Sequence, residues 1–203
     1  MITIVNYGLG NLGSIINMMR KIGIQSNITS DPEEILSAKK LILPGVGHFD
    51  RAMERLNSTA LREVIDRKAL EEKIPILGIC LGMHLLTRSS EEGILPGLSW
   101  IPAETVRFHF APDSRLKIPH MGWNNVHIST ASPLTSGFDG NYRFYFVHSY
   151  YVRVDDQHHS ILRAQHGIEF DAAIQKDNIY GVQFHPEKSH KYGMRLLENF
   201  TNL

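Results

Sequence analysis

The stretch Ile74-Pro75-Ile76-Leu77-Gly78-Ile79-Cys80-Leu81-Gly82 constrains the fold more than any other part of this chain. Ile74–Ile79 is an apolar run too short for a globular helix, and it reads as a buried strand. Leu81–Ser89 after it has the pattern of a helix. Glycines stand two positions either side of Cys80, where a strand that turns at once into a helix would crowd any side chain. A strand of this kind belongs in a sheet whose faces are covered by helices.

The first half supplies that context. Ile2–Asn6, Gln25–Thr29 and Lys40–Leu43 read as strands. Helical spacing over Ser14–Ile22, a short helix at Glu33–Ser37 opened by Asp31-Pro32, and a long amphipathic stretch at Arg51–Glu72, broken near Asn57–Thr59, alternate with them. Strand–helix alternation predicts a parallel sheet with helices on both faces. The second half is richer in strands: Ala103–Phe110, Asn124–Ile128, Arg143–Val147, Tyr151–Val154, Ile161–Gln165, Phe170–Lys176 and Ile179–Gln183, with a final helix at about Tyr192–Phe200. The expected fold class is α/β: an open, largely parallel, flavodoxin-like sheet flanked by helices, with strands added in the second half. No repeat or linker interrupts the 203 residues, so one domain over 1–203 is expected.

Charge excludes some partners. Lys plus Arg and Asp plus Glu number 21 each, so no net field draws the chain to nucleic acid or to an anionic membrane. No apolar run nears the roughly 18 residues that a spanning helix needs. A lone cysteine forms no internal disulfide, and the first residues do not read as a secretory signal, so a cytoplasmic location is expected.

Cys80 is the first candidate for chemistry. The elbow would present its thiol at the carboxyl edge of the sheet, at a helix N-terminus that favours thiolate. The Leu81 N–H would point at an oxyanion formed there. The plainer reading of a lone cysteine is a small buried hydrophobe. A cysteine nucleophile needs a base, and the chain has eleven histidines. His185 follows the apolar run Ile179–Phe184 and would reach the same edge. Glu187 lies two residues on, on the same side of an extended segment, and would orient the imidazole as in a Cys–His–acid relay. Otherwise His185 is an exposed strand-end residue. His158 and His159 read as solvated, and His127 and His166 as lacking partners. Gly8-Leu9-Gly10-Asn11-Leu12-Gly13 formally fits a dinucleotide-binding loop, with Asp31 about twenty residues on, but Asn6-Tyr7 at the turn disfavours it. Histidine spacing such as His185/His190 does not suit a zinc site, so no metal and no cofactor are expected.

Six segments together resemble the class I glutamine amidotransferases, most closely the glutaminase subunits of imidazole glycerol phosphate synthase. They are Asn6–Leu12, Leu43–Phe49, Gly78–Met83, Pro119–Asn124, Phe146–Tyr150 and Gly181–Ser189. The resemblance implies that Cys80 attacks the side-chain amide of L-glutamine, that His185 moves the protons and that Glu187 orients it. It implies an oxyanion site at Leu81 with Val46 or Gly47, and a glutamine pocket that includes Glu92, Ser149, Tyr150 and position 84. The family pattern has glutamine at that position, where this chain has His84, which implies altered glutamine affinity or pH dependence. A heterodimer with a synthase subunit is also implied, with Asn11 and Lys188 near the shared face. A (β/α)₈-barrel cyclase of histidine biosynthesis is the leading partner. An ATP-dependent sugar amidotransferase of surface-polysaccharide synthesis is the second, favoured by Asp50 after Phe49 and by the tail Ser189–Arg195. A non-catalytic partner-binding module is the third reading, opposed by the presence of Cys80, His185 and Glu187 together.

Overall fold

The computed structural model describes residues 1–111 and 113–203. In chain order the strands are β1 (Ile2–Val5), β2 (Ser26–Thr29), β3 (Leu41–Leu43), β4 (Ile76–Ile79), β5 (Ala103–Arg107), β6 (His120–Ile128), β7 (Tyr142–His148), β8 (Tyr150–Val154), β9 (Ser160–His166), β10 (Ile168–Lys176) and β11 (Ile179–Val182). The helices are α1 (Leu12–Lys21), α2 (Pro32–Leu36), α3 (Phe49–Asn57), α4 (Leu61–Asp66), α5 (Leu81–Leu85) and α6 (His190–Thr201). Sequence and structure agree on every strand and differ mainly at the ends.

The strands run β2-β1-β3-β4-β11-β10-β9-β6-β7, with β8 joining β10 and β5. Pairing is parallel from β2 to β11 and antiparallel from β11 onward. The inner parallel strands β1, β3, β4 and β11 are buried on both faces. Ile4, Ile42, Leu77 and Ile79 meet Ile15, Met18 and Met19 of α1 and Leu196, Leu197 and Phe200 of α6. Val5, Leu41, Leu43 and Ile76 meet Phe49, Met53 and Leu56 of α3 and Leu61, Val64 and Ile65 of α4. Period-two alternation thus sends successive residues of one strand into two cores. Each fully buried side chain such as Phe200 contributes about 1.5–3 kcal/mol.

One consequence of this order positions everything that follows. β3, β4 and β11 are parallel neighbours in tight register, with Leu43 and Gly181 both beside Gly78. Their carboxyl ends therefore lie side by side. What leaves them is, in turn, the loop Pro44–Gly47, the turn at Cys80 and the turn at His185. Carboxyl ends of strands are where open α/β sheets bind ligands.

Candidate active site

The backbone passes through Cys80 at φ 53° and ψ −108°, a left-handed conformation that costs a residue with a side chain about 1–3 kcal/mol. The flanking glycines are enforced by contact. A Cβ on Gly82 would lie 1.9 Å from the Leu43 carbonyl oxygen, and one on Gly78 would lie 2.6 Å from that of Gly82. The Cys80 N–H donates to Val182 at 2.7 Å, and its carbonyl accepts from Met83 and His84 at 3.0 and 3.2 Å. The elbow is thereby tied to β11 and to α5.

The helix that follows is shorter than the sequence pattern suggests. It stops at Leu85 instead of Ser89, where the Thr87 hydroxyl donates back to the His84 carbonyl at 2.8 Å and the chain swings toward β5. A helix of five residues has little macrodipole, so it contributes little to holding a thiolate.

His185 is anchored from three directions. Its N–H donates to Tyr145 of β7 at 2.9 Å, its carbonyl accepts the Ser189 hydroxyl at 2.6 Å, and it precedes a 3₁₀ turn, Pro186–Lys188. This turn corrects the expectation of an extended segment. Glu187 comes back to His185 because the chain coils, and its Oε1 lies 2.7 Å from Nδ1. Both side chains are 2% exposed. A carboxylate accepts, so Nδ1 carries the proton and Nε2 is the atom left to act. Nε2 makes no complete hydrogen bond within the protein, and its neighbour is the Cys80 thiol. Burial is the largest influence on the His185 imidazole and lowers its pKa, but Cys80 and Glu187 together outweigh it and carry the value up to about 9. An imidazolium beside a thiol favours the thiolate.

The Pro44–Gly47 loop is braced at its start and open at its end. The buried Tyr7 hydroxyl donates to the Pro44 carbonyl. A Cβ on Gly10 would meet Pro44 at 3.3 Å, so the glycine-rich Gly8–Gly13 segment packs on this loop and does not stand free as a dinucleotide cradle. Burial, with a smaller influence from Cys80, pushes the Tyr7 phenol up, which keeps it a donor. Val46, in contrast, is 41% exposed. Leu81 is the first residue of α5, so its N–H has no intrahelical carbonyl to bond.

A cavity of about 350 Å³ opens over the thiol. Cys80, His185, Val46, Gly47 and Leu81 line it, as do His84, Glu92, Ser149 and Tyr150. The Glu92 carboxylate accepts the Phe49 N–H at 2.9 Å, and burial, its largest influence, raises its pKa. Asp50 holds the following residues: its carboxylate accepts the N–H groups of Ile94 and Leu95 at 3.0 Å. Asp50 thus has a local structural task.

Three further residues belong to the site and escape sequence reasoning. Tyr7 is one and Gln183 another. Gln183 is wholly buried, with Oε1 2.8 Å from His84 Nε2 and Nε2 3.9 Å from Cys80 Sγ. The third is His148, which lines the cavity. Its Nδ1 lies 2.7 Å from the Tyr150 carbonyl, which only accepts, so Nδ1 donates and Nε2 accepts from His120 Nδ1 at 2.9 Å. His120 Nε2 then accepts from Asn124 at 3.2 Å. The chain of bonds closes only with both rings neutral. Burial lowers both histidines, His120 to about 4 and His148 well below its ordinary value. His166 stacks on His120 at 4.3 Å and lies 2.9 Å from the Lys117 carbonyl, while His127 pairs with Glu169 at 3.2 Å, so these two have partners after all. Among the described residues, no group of three or more His, Cys, Asp or Glu side chains is arranged to hold a metal ion. None of their helices is long and apolar enough to cross a membrane.

Asn11 and Lys188 lie outside the cavity. Asn11 caps α1, accepting the Ser14 N–H at 3.4 Å. The exposed Lys188 ammonium sits 5.8 Å from the Tyr145 ring, and Lys188 borders a surface hollow with Ser14, Asn17 and His190.

A strained cysteine stands here beside a carboxylate-bound histidine from the next strand's end, and the chain belongs to the glutamine amidotransferase class-I family, whose model matches residues 3–203. Within that class it is 56% identical over 200 residues to imidazole glycerol phosphate synthase subunit HisH 2 of Methanococcus maripaludis, covering 98% of each chain. It is 48% identical to subunit HisH of Archaeoglobus fulgidus, across 100% of this chain and 98% of that one. A crystal structure of a glutamine amidotransferase superposes with a TM-score of 0.76 at 16% identity, covering 99% of this chain and 97% of the other.

Proposed function

We propose that the chain is the glutaminase subunit of an imidazole glycerol phosphate synthase, which hydrolyses L-glutamine at Cys80 and passes ammonia to a cyclase subunit. The observation that carries the catalytic part is the convergence of Cys80 and the Glu187-bound His185 on one cavity. The Cys80 thiolate attacks the amide carbon, and the oxyanion is met by the N–H of Leu81 and by one from the Val46–Gly47 segment. The His185 imidazolium gives its proton to the departing nitrogen, so ammonia leaves and a glutamyl thioester remains. A water molecule, deprotonated by the now neutral His185, then attacks the thioester. Glutamate is released and the proton returns to the Cys80–His185 pair. Glu92, Ser149, Tyr150 and His84 line the space for the amino-acid end of the substrate.

The partner reading rests on the full-length similarity to HisH subunits and on a surface beside the His185 turn. There Trp123 is 42% exposed and Met121 62% exposed. Trp123 stacks on His190 at 5.6 Å with the Arg143 guanidinium 5.5 Å from its ring. Exposed aromatic and arginine side chains of this kind suit a protein interface. One face of α1, Ser14 to Lys21, and the turn carrying Lys188 flank the same hollow. The reading places the protein in the cytoplasm with the biosynthetic partner. The test is glutamate release from purified chain mixed with the cyclase subunit, with Cys80→Ala as the blank. Stimulation by a sugar amidotransferase and not by the cyclase would move the ammonia to the other pathway, and activity surviving Cys80→Ala would overturn the mechanism.

A further inference from the structure

A five-residue α5 contributes little to stabilising a thiolate, so another donor must be sought near Cys80 Sγ. His185 Nε2 is one. The second is an amide on the opposite register position. Cys80 and Gln183 each stand one residue beyond a register-paired strand end, Ile79 beside Val182, and the Cys80 N–H donates to Val182. The Gln183 main chain is itself fixed, its N–H donating to Ala172 at 2.9 Å. Its side chain is wholly buried and has two contacts, Oε1 to His84 Nε2 at 2.8 Å and Nε2 to Cys80 Sγ at 3.9 Å.

The polarity of this chain follows from its members. Were the amide turned over, its oxygen would face the sulfur and would repel a thiolate. His84 fixes the choice when its Nε2 carries the proton, because only the amide oxygen can then accept. The ring stays neutral: burial lowers His84 to about 4, against a smaller raising influence from Gln183. A neutral ring has one N–H, and Gln183 Oε1 is the acceptor at hand.

We propose that Gln183 holds the reactive thiolate of Cys80 by donating its amide N–H to Sγ, and that His84 is the positioning residue that keeps the amide in that orientation. The proposal deepens the glutaminase reading and rests on it, and it gives position 84 a task besides lining the glutamine cavity. A hydrogen bond to the charged form raises the thiolate fraction at a given pH. It also makes the sulfur a weaker nucleophile, since nucleophilicity falls with basicity at a Brønsted slope of about 0.4–0.5. Loss of the donor therefore costs less in turnover than in thiolate. Where thiolate falls about tenfold, kcat falls only about threefold.

The test is the pH midpoint of iodoacetamide alkylation of Cys80, which needs neither glutamine nor a partner. Gln183→Met keeps the bulk and removes the donor, and the midpoint should rise by about one pH unit. His84→Leu should raise it likewise. His84→Gln, whose amide can also donate to Gln183, should restore it. In the double variant the shifts should not add, since both act through one bond. With the cyclase present, Gln183→Met should lower kcat about threefold and leave KM nearly unchanged. In the unaltered protein, the side-chain NH₂ signal of Gln183 should move on alkylation of Cys80, a readout that survives if a variant does not fold. An unmoved midpoint in folded Gln183→Met, or an unmoved NH₂ signal, overturns the proposal. Absence of glutamate release with every partner would instead overturn the glutaminase reading and leave the alkylation result standing.

Discussion

The neighbouring ends of β4 and β11 solve the same problem by different means. At the end of β4 the backbone does the holding: Cys80 is left-handed, and Gly78 and Gly82 have no room for even a methyl group. At the end of β11 the backbone is relaxed, with His185 at φ −102° and ψ 98°, and side chains do the holding, through Glu187 and Ser189. On the proposed mechanism the nucleophile must project from a crowded edge, which a sharp turn achieves. The base must keep one tautomer and one ring orientation, which a hydrogen bond achieves. Damage at the first end should therefore register as lost fold, and damage at the second as lost rate.

The largest effect is expected at Gly82. Gly82→Ala drives a Cβ into the Leu43 carbonyl, main chain that cannot move aside as a side chain would, and should cost more than about 4 kcal/mol, seen as failure to fold or a collapsed melting temperature. A Gly82→Ala protein that melts like its parent would break the comparison. Glu187→Gln should keep the fold and lower kcat with the cyclase on the order of 10⁴-fold, because the amide can select the wrong tautomer. Next comes pH. His185 has to be charged to release ammonia, so kcat should decline as pH rises through about 9. His84, His120 and His148 have lowered values in the fold, so their stabilisation is complete above the ordinary 6.5 and is lost as pH falls toward about 4. The raised His185 acts oppositely, its contribution complete below 6.5 and lost through about 9. Below 6.5 only the three lowered histidines still act on stability, so melting temperature should drop between pH 7 and pH 5, and a flat profile would refute the neutral His120–His148 bond. The smallest effect sharpens the contrast at a third strand end: Asn11→Ala removes the α1 cap beyond β1 and should cost about 1 kcal/mol of unfolding free energy, read by denaturant titration of the chain alone.

Much of this arrangement was legible because it is local. Strand-forming runs of four to eight residues mark the strands, and the glycine pair around Cys80 marks the elbow through sterics that act within five residues. The turn at Pro186–Lys188 was not read, because two-residue spacing suits a strand and a 3₁₀ turn alike. Gln183, Tyr7 and His148 were missed for a stronger reason. Each lies in a segment that carries the resemblance, but its role comes from a partner 28 to 103 positions away, His148 with His120, Tyr7 with Pro44, Gln183 with Cys80. No periodicity encodes such pairs. The α5 end was overrun because Thr87, a tolerable helix residue, bonds back to His84 and stops it.

The order of strands also sets a timetable for the thiol. Cys80 belongs to the first half of the chain, yet β4 finds its second neighbour only in β11, about a hundred residues later. A ribosome adding about 5–20 residues per second needs several seconds to cover that gap. Throughout it the thiol has neither His185 beside it nor Val182 accepting its N–H. On the proposed mechanism, the nucleophile is thus made before its base. The pairing of β4 with β11 then brings base and thiol together, as the last strand closes the sheet.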